Sequence, residues 1–150
     1  ARTATDRVRS GFPGWKKDLF AIWTANKPAY AATVIGGDPL DLARKIDRAK
    51  AIRGPRMIIA LAPCPTGWGY DPAQSVDIAR LAVKTGIWPL KEYENGMIRH
   101  TRVPHPRAPV EEYLKLQGRF AHLFEPERNE PILAEIQALV DTYWGAVETK

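Results

Sequence analysis

YAATVIGGDPLDLARKIDRAKAIRGPRMIIALAPCP, residues 30–65, holds the pattern that sets the fold class. Tyr30 to Ile35 is almost wholly apolar and β-branched toward its end, which predicts a strand covered on both faces. Gly36-Gly37 turns the chain, and Asp38-Pro39 starts a helix. Asp38 can cap free N–H groups, and proline at the first helical position loses nothing by lacking its own. The helix runs to about Ile52, with Leu42, Ile46 and Ala49 on one stripe, and Gly54-Pro55 stops it. Met57 to Ala62 is a second continuous apolar strand. Strand, helix and strand on short connections make one right-handed βαβ crossover with parallel strands.

Outward from this unit the signals are more local. Ala1 to Trp15 is irregular, broken by Gly11, Pro13 and Gly14, and Lys16 to Asn26 predicts a short amphipathic helix through Leu19, Phe20, Ile22 and Trp23. After Cys64, PTGWGY reads as a loop with two glycines, and Asp71-Pro72 repeats the helix-start device, with Gln74 placed to complete a capping box. The helix from Ala73 to Thr85 has Val76, Ala79, Leu81 and Val83 on or near its buried side and stops at Gly86. Ile87 to Glu94 and Met97 to Arg102, joined at Asn95-Gly96, predict a β-hairpin. Pro104, Pro106 and Pro109 stiffen a connector to a short helix, Val110 to Gln117. Pro131 to Val147 is a longer helix, with Ile132, Ile136, Leu139, Val140, Tyr143 and Val147 at helical spacing.

Two doubly covered parallel strands need further strands beside them and helices on both faces, and this chain supplies few. It is therefore expected to be part of a longer polypeptide or to pack permanently on another subunit. A start at Ala1, in mid-pattern and without an initiator Met, points the same way. The hairpin, proline arm and final helix, with little core of their own, are expected to pack on neighbouring subunits.

Composition narrows the function classes. A chain of 150 residues supports one modest core, and no apolar run approaches the ~20 residues of a membrane span. The basic start has no apolar segment behind it, so it is no secretory signal. Twenty-two Lys and Arg against seventeen Asp and Glu leave a formal charge of +5. These cations are scattered along helix faces and ends, which argues against a nucleic-acid-binding domain. A single cysteine makes no internal disulfide, so a reducing cytoplasm is the expected compartment.

Cys64 is the residue to weigh. It lies two residues past a parallel strand, where loops of α/β proteins converge on ligands, and Pro63 and Pro65 restrict its backbone on both sides. On residue chemistry alone a buried, inert thiol is the commoner outcome, and a nucleophile lacks a base nearby in sequence. As an iron–sulfur ligand it is incomplete, because a cluster usually takes four thiolates. Gly36-Gly37 is no dinucleotide fingerprint, and there is no GxxxxGK[ST] phosphate loop. Trp68 and Tyr70 read as a stacking surface for a ligand or as an aromatic lid packed on the sheet edge. His100 and His105 read as metal ligands or, more simply, as solvent-exposed histidines; His122 lies further on. Glu111 and Glu112, adjacent on a helix, point apart and make a poor acid–base pair.

KKDLFAIWTANKPAYAATVIGG, GPRMIIALAPCPTGWGYDP, IARLAVKTGIWPLKEYENG and PVEEYLKLQGRF, in that order, resemble the C-terminal part of the β subunit of 2-oxoacid:ferredoxin oxidoreductases. Pyruvate:ferredoxin oxidoreductase is the type member, and phenylglyoxylate and oxalate oxidoreductases are relatives. The resemblance spans roughly residues 14–145, and its APCPTGW and WPLxxxENG blocks are long and idiosyncratic. It implies decarboxylation of a pyruvate-like or aryl 2-oxoacid on thiamine diphosphate with Mg²⁺, transfer to coenzyme A in most members, and electron flow through a [4Fe–4S] cluster to ferredoxin. It implies that Cys64 is the last of four cysteine ligands to that cluster. The other three, the GDG…N segment and the NTGxQ-type stretch of the family are absent from this sequence. This chain is then expected to supply one ligand while the rest of the β subunit, the α subunit and other subunits supply the remainder.

The implied fold is α/β: the βαβ portion of a parallel-sheet thiamine-diphosphate-binding fold over residues 1–93, then a hairpin, Pro-rich arm and helical extension over residues 94–150. Next to an iron-bound Cys64, Pro65 offers no N–H to the sulfurs, whereas Thr66, Gly67 and Trp68 can. Such hydrogen bonds raise a cluster's potential, and burial under Trp68 lowers it. A rival reading, from a different class, is a non-catalytic subunit-interaction module.

Overall fold

The computed structural model describes residues 18–149. Strand β1 (Tyr30–Ile35), helix α2 (Pro39–Ala51) and strand β2 (Arg56–Leu61) form the expected βαβ unit, preceded by a short helix α1 (Leu19–Ala25). β1 and β2 are parallel and in step from Tyr30↔Arg56 to Ile35↔Leu61. The Asp38 carboxylate accepts from the Asp41 N–H at 3.1 Å, and Pro39 occupies the first turn, so the helix starts as its sequence dictates.

β1 is buried along its whole length, and alternation divides its neighbours between two faces. Ala31 packs with Phe20 of α1 and with Tyr93, whereas Tyr30 and Ala32 pack with Ala49 of α2. Of the four apolar residues expected to seat α1, Phe20 alone is buried; Leu19, Ile22 and Trp23 face outward. The inward face of α2 also differs from expectation. Asp41, Lys45 and Ala49 are buried, Leu42 is half-buried, and Ile46 is exposed. The Lys45 ammonium sits 2.6 Å from Asp41 Oδ2 and donates to the Thr33 carbonyl at 2.9 Å. A backbone acceptor on β1 and a buried carboxylate thus turn the helix away from its apolar stripe. Burial pushes the Lys45 pKa down, and Asp41 opposes that shift.

The hairpin forms at Asn95-Gly96 with strands β3 (Lys91–Glu94) and β4 (Met97–His100), shorter than expected. It adds antiparallel to the second edge of β1, giving a mixed sheet of order β2-β1-β3-β4. β3 pairs with β1 across Tyr30 to Ala32 alone. Beyond that point side chains take over: Trp88 Nε1 donates to the Val34 carbonyl, and the Thr33 hydroxyl donates to the Pro89 carbonyl at 2.6 Å. β2 is the other edge, and its residues are exposed or half-buried.

PTGW is not an open loop but a single helical turn, α3 (Pro65–Trp68). The capping box does not form. Asp71 accepts from the Ala73 N–H, a 3₁₀ turn covers Pro72–Gln74, and Gln74 makes no capping bond before helix α4 (Ser75–Lys84). Ala79 is buried as expected together with Ile78 and Ala82, while Val76 is exposed. Helix α5 (Val110–Lys115), a 3₁₀ turn over Gly118–Leu123 and helix α6 (Glu130–Glu148) complete the described residues.

The largest apolar cluster joins Ile78 and Ala82 of α4, Val110, Tyr113 and Leu114 of α5, Phe120 and Leu123, and Leu133, Val140 and Trp144 of α6. This corrects the expectation that the C-terminal elements have little core. Trp144 is fully buried and anchors α6, a role the apolar spacing did not single out, whereas Leu139 is exposed.

Candidate functional site

Beyond Leu61 the chain leaves the sheet through Ala62 and Pro63 and enters Cys64, whose backbone is extended (φ −115°, ψ 104°). Pro65 starts α3 without needing an N–H donor of its own. The Cys64 carbonyl accepts from the Trp68 N–H at 2.8 Å, and the Pro65 carbonyl accepts from Gly69 at 2.8 Å and Tyr70 at 3.2 Å. Inside this turn the Cys64 sulfur accepts from the Gly67 N–H at 3.3 Å. The thiol is exposed, not buried as residue chemistry alone favours. The turn thus presents an oriented sulfur with one backbone donor beside it.

Among the three residues expected to offer N–H groups beside the sulfur, Gly67 makes that contact, and the Trp68 N–H is committed to the Cys64 carbonyl. The Trp68 ring does not cover the thiol. It packs on the large cluster and takes the Arg119 guanidinium 3.8 Å from its ring centroid, with Tyr70 tilted at 6.3 Å. Trp68 and Tyr70 are thus packed aromatics seated on the largest cluster, which Leu61 of the edge strand β2 also joins.

The turn is gripped from behind. The Gly118 N–H donates to the Gly69 carbonyl at 2.9 Å, and a Cβ on Gly118 would stand 3.0 Å from that oxygen. Gly69 itself is left-handed (φ 69°). Arg119 donates through Nε to Gln117 Oε1 at 2.9 Å, and buried Gln117 donates through Nε2 to the Tyr113 carbonyl at 2.6 Å. Arg119, Gln117 and Gly118 carry no sequence signal that links them to Cys64, more than 50 residues away. They lie in the PVEEYLKLQGRF block, and no spacing rule assigns them a place.

The histidines do not gather. His105 is exposed, His122 is half-buried, and His100 Nε2 lies 2.7 Å from the Tyr143 hydroxyl beside Trp144. Burial first, and the Lys91 charge second, hold the His100 pKa below its usual value. Glu111 faces Lys115 and Arg128 while Glu112 is exposed, so the two carboxylates act apart, as expected. No three His, Cys, Asp or Glu side chains among the described residues converge as a metal site. Cys64 can therefore serve a metal centre as one ligand, with others brought from outside these residues. No helix of the described residues is long and apolar enough to cross a membrane.

The site defines a class: an α/β segment that presents one oriented cysteine at the carboxyl end of a parallel strand. Comparison with known proteins agrees with the resemblance. The chain is 48% identical over 140 residues to pyruvate synthase subunit PorB of Methanosarcina barkeri, covering 93% of this chain and 47% of that subunit. It is 45% identical over 126 residues to the PorB subunit of Methanocaldococcus jannaschii, covering 84% and 41%. It is 46% identical over 111 residues to ketoisovalerate oxidoreductase subunit VorB of Pyrococcus horikoshii, covering 72% and 35%. No protein-family model matches. The chain spans about half the length, or less, of the curated relatives it matches. It is a homologue of part of these 2-oxoacid oxidoreductase subunits, as the sequence resemblance holds.

Proposed function

We propose that this chain is part of the β subunit of a 2-oxoacid:acceptor oxidoreductase that decarboxylates a pyruvate-like or aryl 2-oxoacid to an acyl-CoA and reduces ferredoxin. In this reading Cys64 is one ligand of a [4Fe–4S] cluster, which supplies one-electron transfer when bound. The observation that carries it is the exposed Cys64 sulfur, oriented by Pro63 and Pro65 and supported by the Gly67 N–H, in a chain similar to these subunits. The residues fit a single ligand. Among the described residues no three His, Cys, Asp or Glu side chains converge to hold Mg²⁺, and this reading assigns thiamine diphosphate and Mg²⁺ to the rest of the subunit.

What the chain's own residues contribute is specific. The prolines limit where the thiolate points, Gly67 donates to it, and Thr66 adds a neighbouring N–H on the same turn. The rest of the β subunit, the α subunit, other subunits and a ferredoxin-like carrier are the proposed partners, in a reducing cytoplasm. Residues 1–93 belong to the thiamine-binding α/β domain in this proposal, and residues 94–150 to its extension.

The test is Cys64→Ser in the complete enzyme. Iron content and the EPR signal of the reduced cluster are expected to fall or convert, with ferredoxin reduction cut. An unchanged cubane signal with full electron transfer overturns the assignment. One observation favours the rival interaction module: Leu40, Ile46 and Val76 leave apolar surface on α2 and α4. On that reading the complete assembly contains neither iron nor thiamine.

A further inference from the structure

We infer that Gln117–Phe120 is a positioning platform for the cysteine turn, with Arg119 as its positioning residue; this rests on the reading of Cys64 as a cluster ligand. A four-residue helical turn does not hold itself, since its three internal backbone hydrogen bonds, from Trp68 to Cys64 and from Gly69 and Tyr70 to Pro65, do not offset the backbone entropy they fix. Its sulfur is nevertheless placed against the Gly67 N–H. The restraint comes from two contacts at the far end of the turn. One is the backbone bond from Gly118 to Gly69, made possible by the absence of a side chain at both positions. The other is the Arg119 guanidinium, 3.8 Å from the Trp68 ring centroid and 4.6 Å from that of Phe120.

This platform is rigid because it is rooted in the largest core. Phe120 is 3% exposed and Gln117 is 1% exposed. Gln117 ties the Arg119 Nε to the Tyr113 carbonyl, so the guanidinium plane is set before it meets Trp68. Trp68 in turn donates its N–H to the Cys64 carbonyl. Fixing Trp68 and Gly69 therefore fixes the loop of backbone that carries both Sγ and its donor. A lysine keeps the charge at position 119 but loses the planar stack and the Nε–H directed at Gln117.

The experiment places Arg119→Lys and Arg119→Gln in the complete enzyme, with Cys64→Ser as reference. The readouts are the rate of iron loss to a chelator and the EPR spectrum and reduction potential of the cluster. Removing partners that orient a metal ligand typically costs about 10–100-fold in metal affinity. Both Arg119 variants are expected to lose iron about tenfold faster, with a shifted spectrum and potential that packing loss elsewhere would not produce. Wild-type iron retention, spectrum and potential in Arg119→Lys overturn the platform if Cys64→Ser alters the cluster. An unaltered cluster in Cys64→Ser overturns instead the reading on which the platform rests.

Discussion

The sheet side and the helical side of this chain keep their interiors in different ways. On the helical side, ten buried residues from α4, α5, the 3₁₀ turn and α6 form one cluster. On the sheet side the buried apolar residues fall into clusters of three, and the spaces between them hold charge. Lys45 and Asp41 lie buried against β1, and Glu92, 7% exposed, accepts from the Tyr30 hydroxyl and from Arg99, both at 2.7 Å. β2 remains an edge of half-buried Met57, Ile58, Ile59 and Leu61. A helical unit that buries its own apolar faces closes on itself, whereas a sheet stays open until its last strand is paired. The cysteine turn sits at the seam: it leaves β2 and is held by the helical core.

The largest effect expected is on the helical side. Trp144 is fully buried, and its Nε1 donates to the Gly86 carbonyl at 3.0 Å. Trp144→Ala should cost about 3–5 kcal/mol, seen as a lower urea midpoint of the complete subunit. Gly86→Ala should act in the same direction, since φ is 78° and a Cβ would meet Trp144 Nε1 at 2.3 Å. A cost below about 1 kcal/mol for Trp144→Ala would mean that this core does not close on itself.

On the sheet side the sensitive element is a charge. Lys45→Met takes the buried cation from Asp41, which keeps only Arg44 at 2.6 Å on its other oxygen, and should cost about 3 kcal/mol. The double replacement Asp41→Leu with Lys45→Met should recover most of that loss, because two desolvated charges leave together. Urea midpoints of the two variants decide it. Equal losses in the single and double variants would show that the Lys45 bond to the Thr33 carbonyl, not the ion pair, holds α2 to β1.

The contrast also separates what the sequence made legible from what it did not. β1, the Asp38-Pro39 cap and the Asn95-Gly96 turn are written in neighbouring residues and form as read, whereas β2 forms within a residue of its expected span but as an exposed to half-buried edge, not as a strand covered on both faces. The buried face of α2 was misplaced by one residue. Ala49 belongs to both stripes, so exchanging Leu42 and Ile46 for Asp41 and Lys45 swings the buried face by somewhat less than the ~100° of one residue. Apolar spacing cannot announce that a lysine will be preferred inside, because its acceptor lies on β1. The hairpin's seat on β1 and the grip of Gly118 and Arg119 on the Cys64 turn are equally non-local. The exposed, oriented thiol depends on those distant contacts, which no neighbouring residue encodes. Its proposed role as a cluster ligand came from the family resemblance and not from residue chemistry.

The smallest effect lies on the surface of the helical side, where charge does what buried charge does across the sheet, but weakly. Arg128 donates to both Glu111 carboxylate oxygens, at 2.7 and 2.6 Å, and Lys115 pairs with the same group. These partners, Arg128 foremost, hold the Glu111 pKa down from 4.5 to about 2. A carboxyl depressed on folding binds protons more readily in the unfolded chain. Its stabilisation is complete above about pH 4.5 and disappears as pH falls toward 2. Glu111→Gln should therefore lower the unfolding temperature slightly at pH 7, where the contribution is whole, lose that effect as pH falls toward 2, and so flatten the acid slope between those values. Because the groups are exposed, added salt should narrow the difference between variant and wild type. Identical acid slopes at low salt would place the join between α5 and the start of α6 in the apolar core alone.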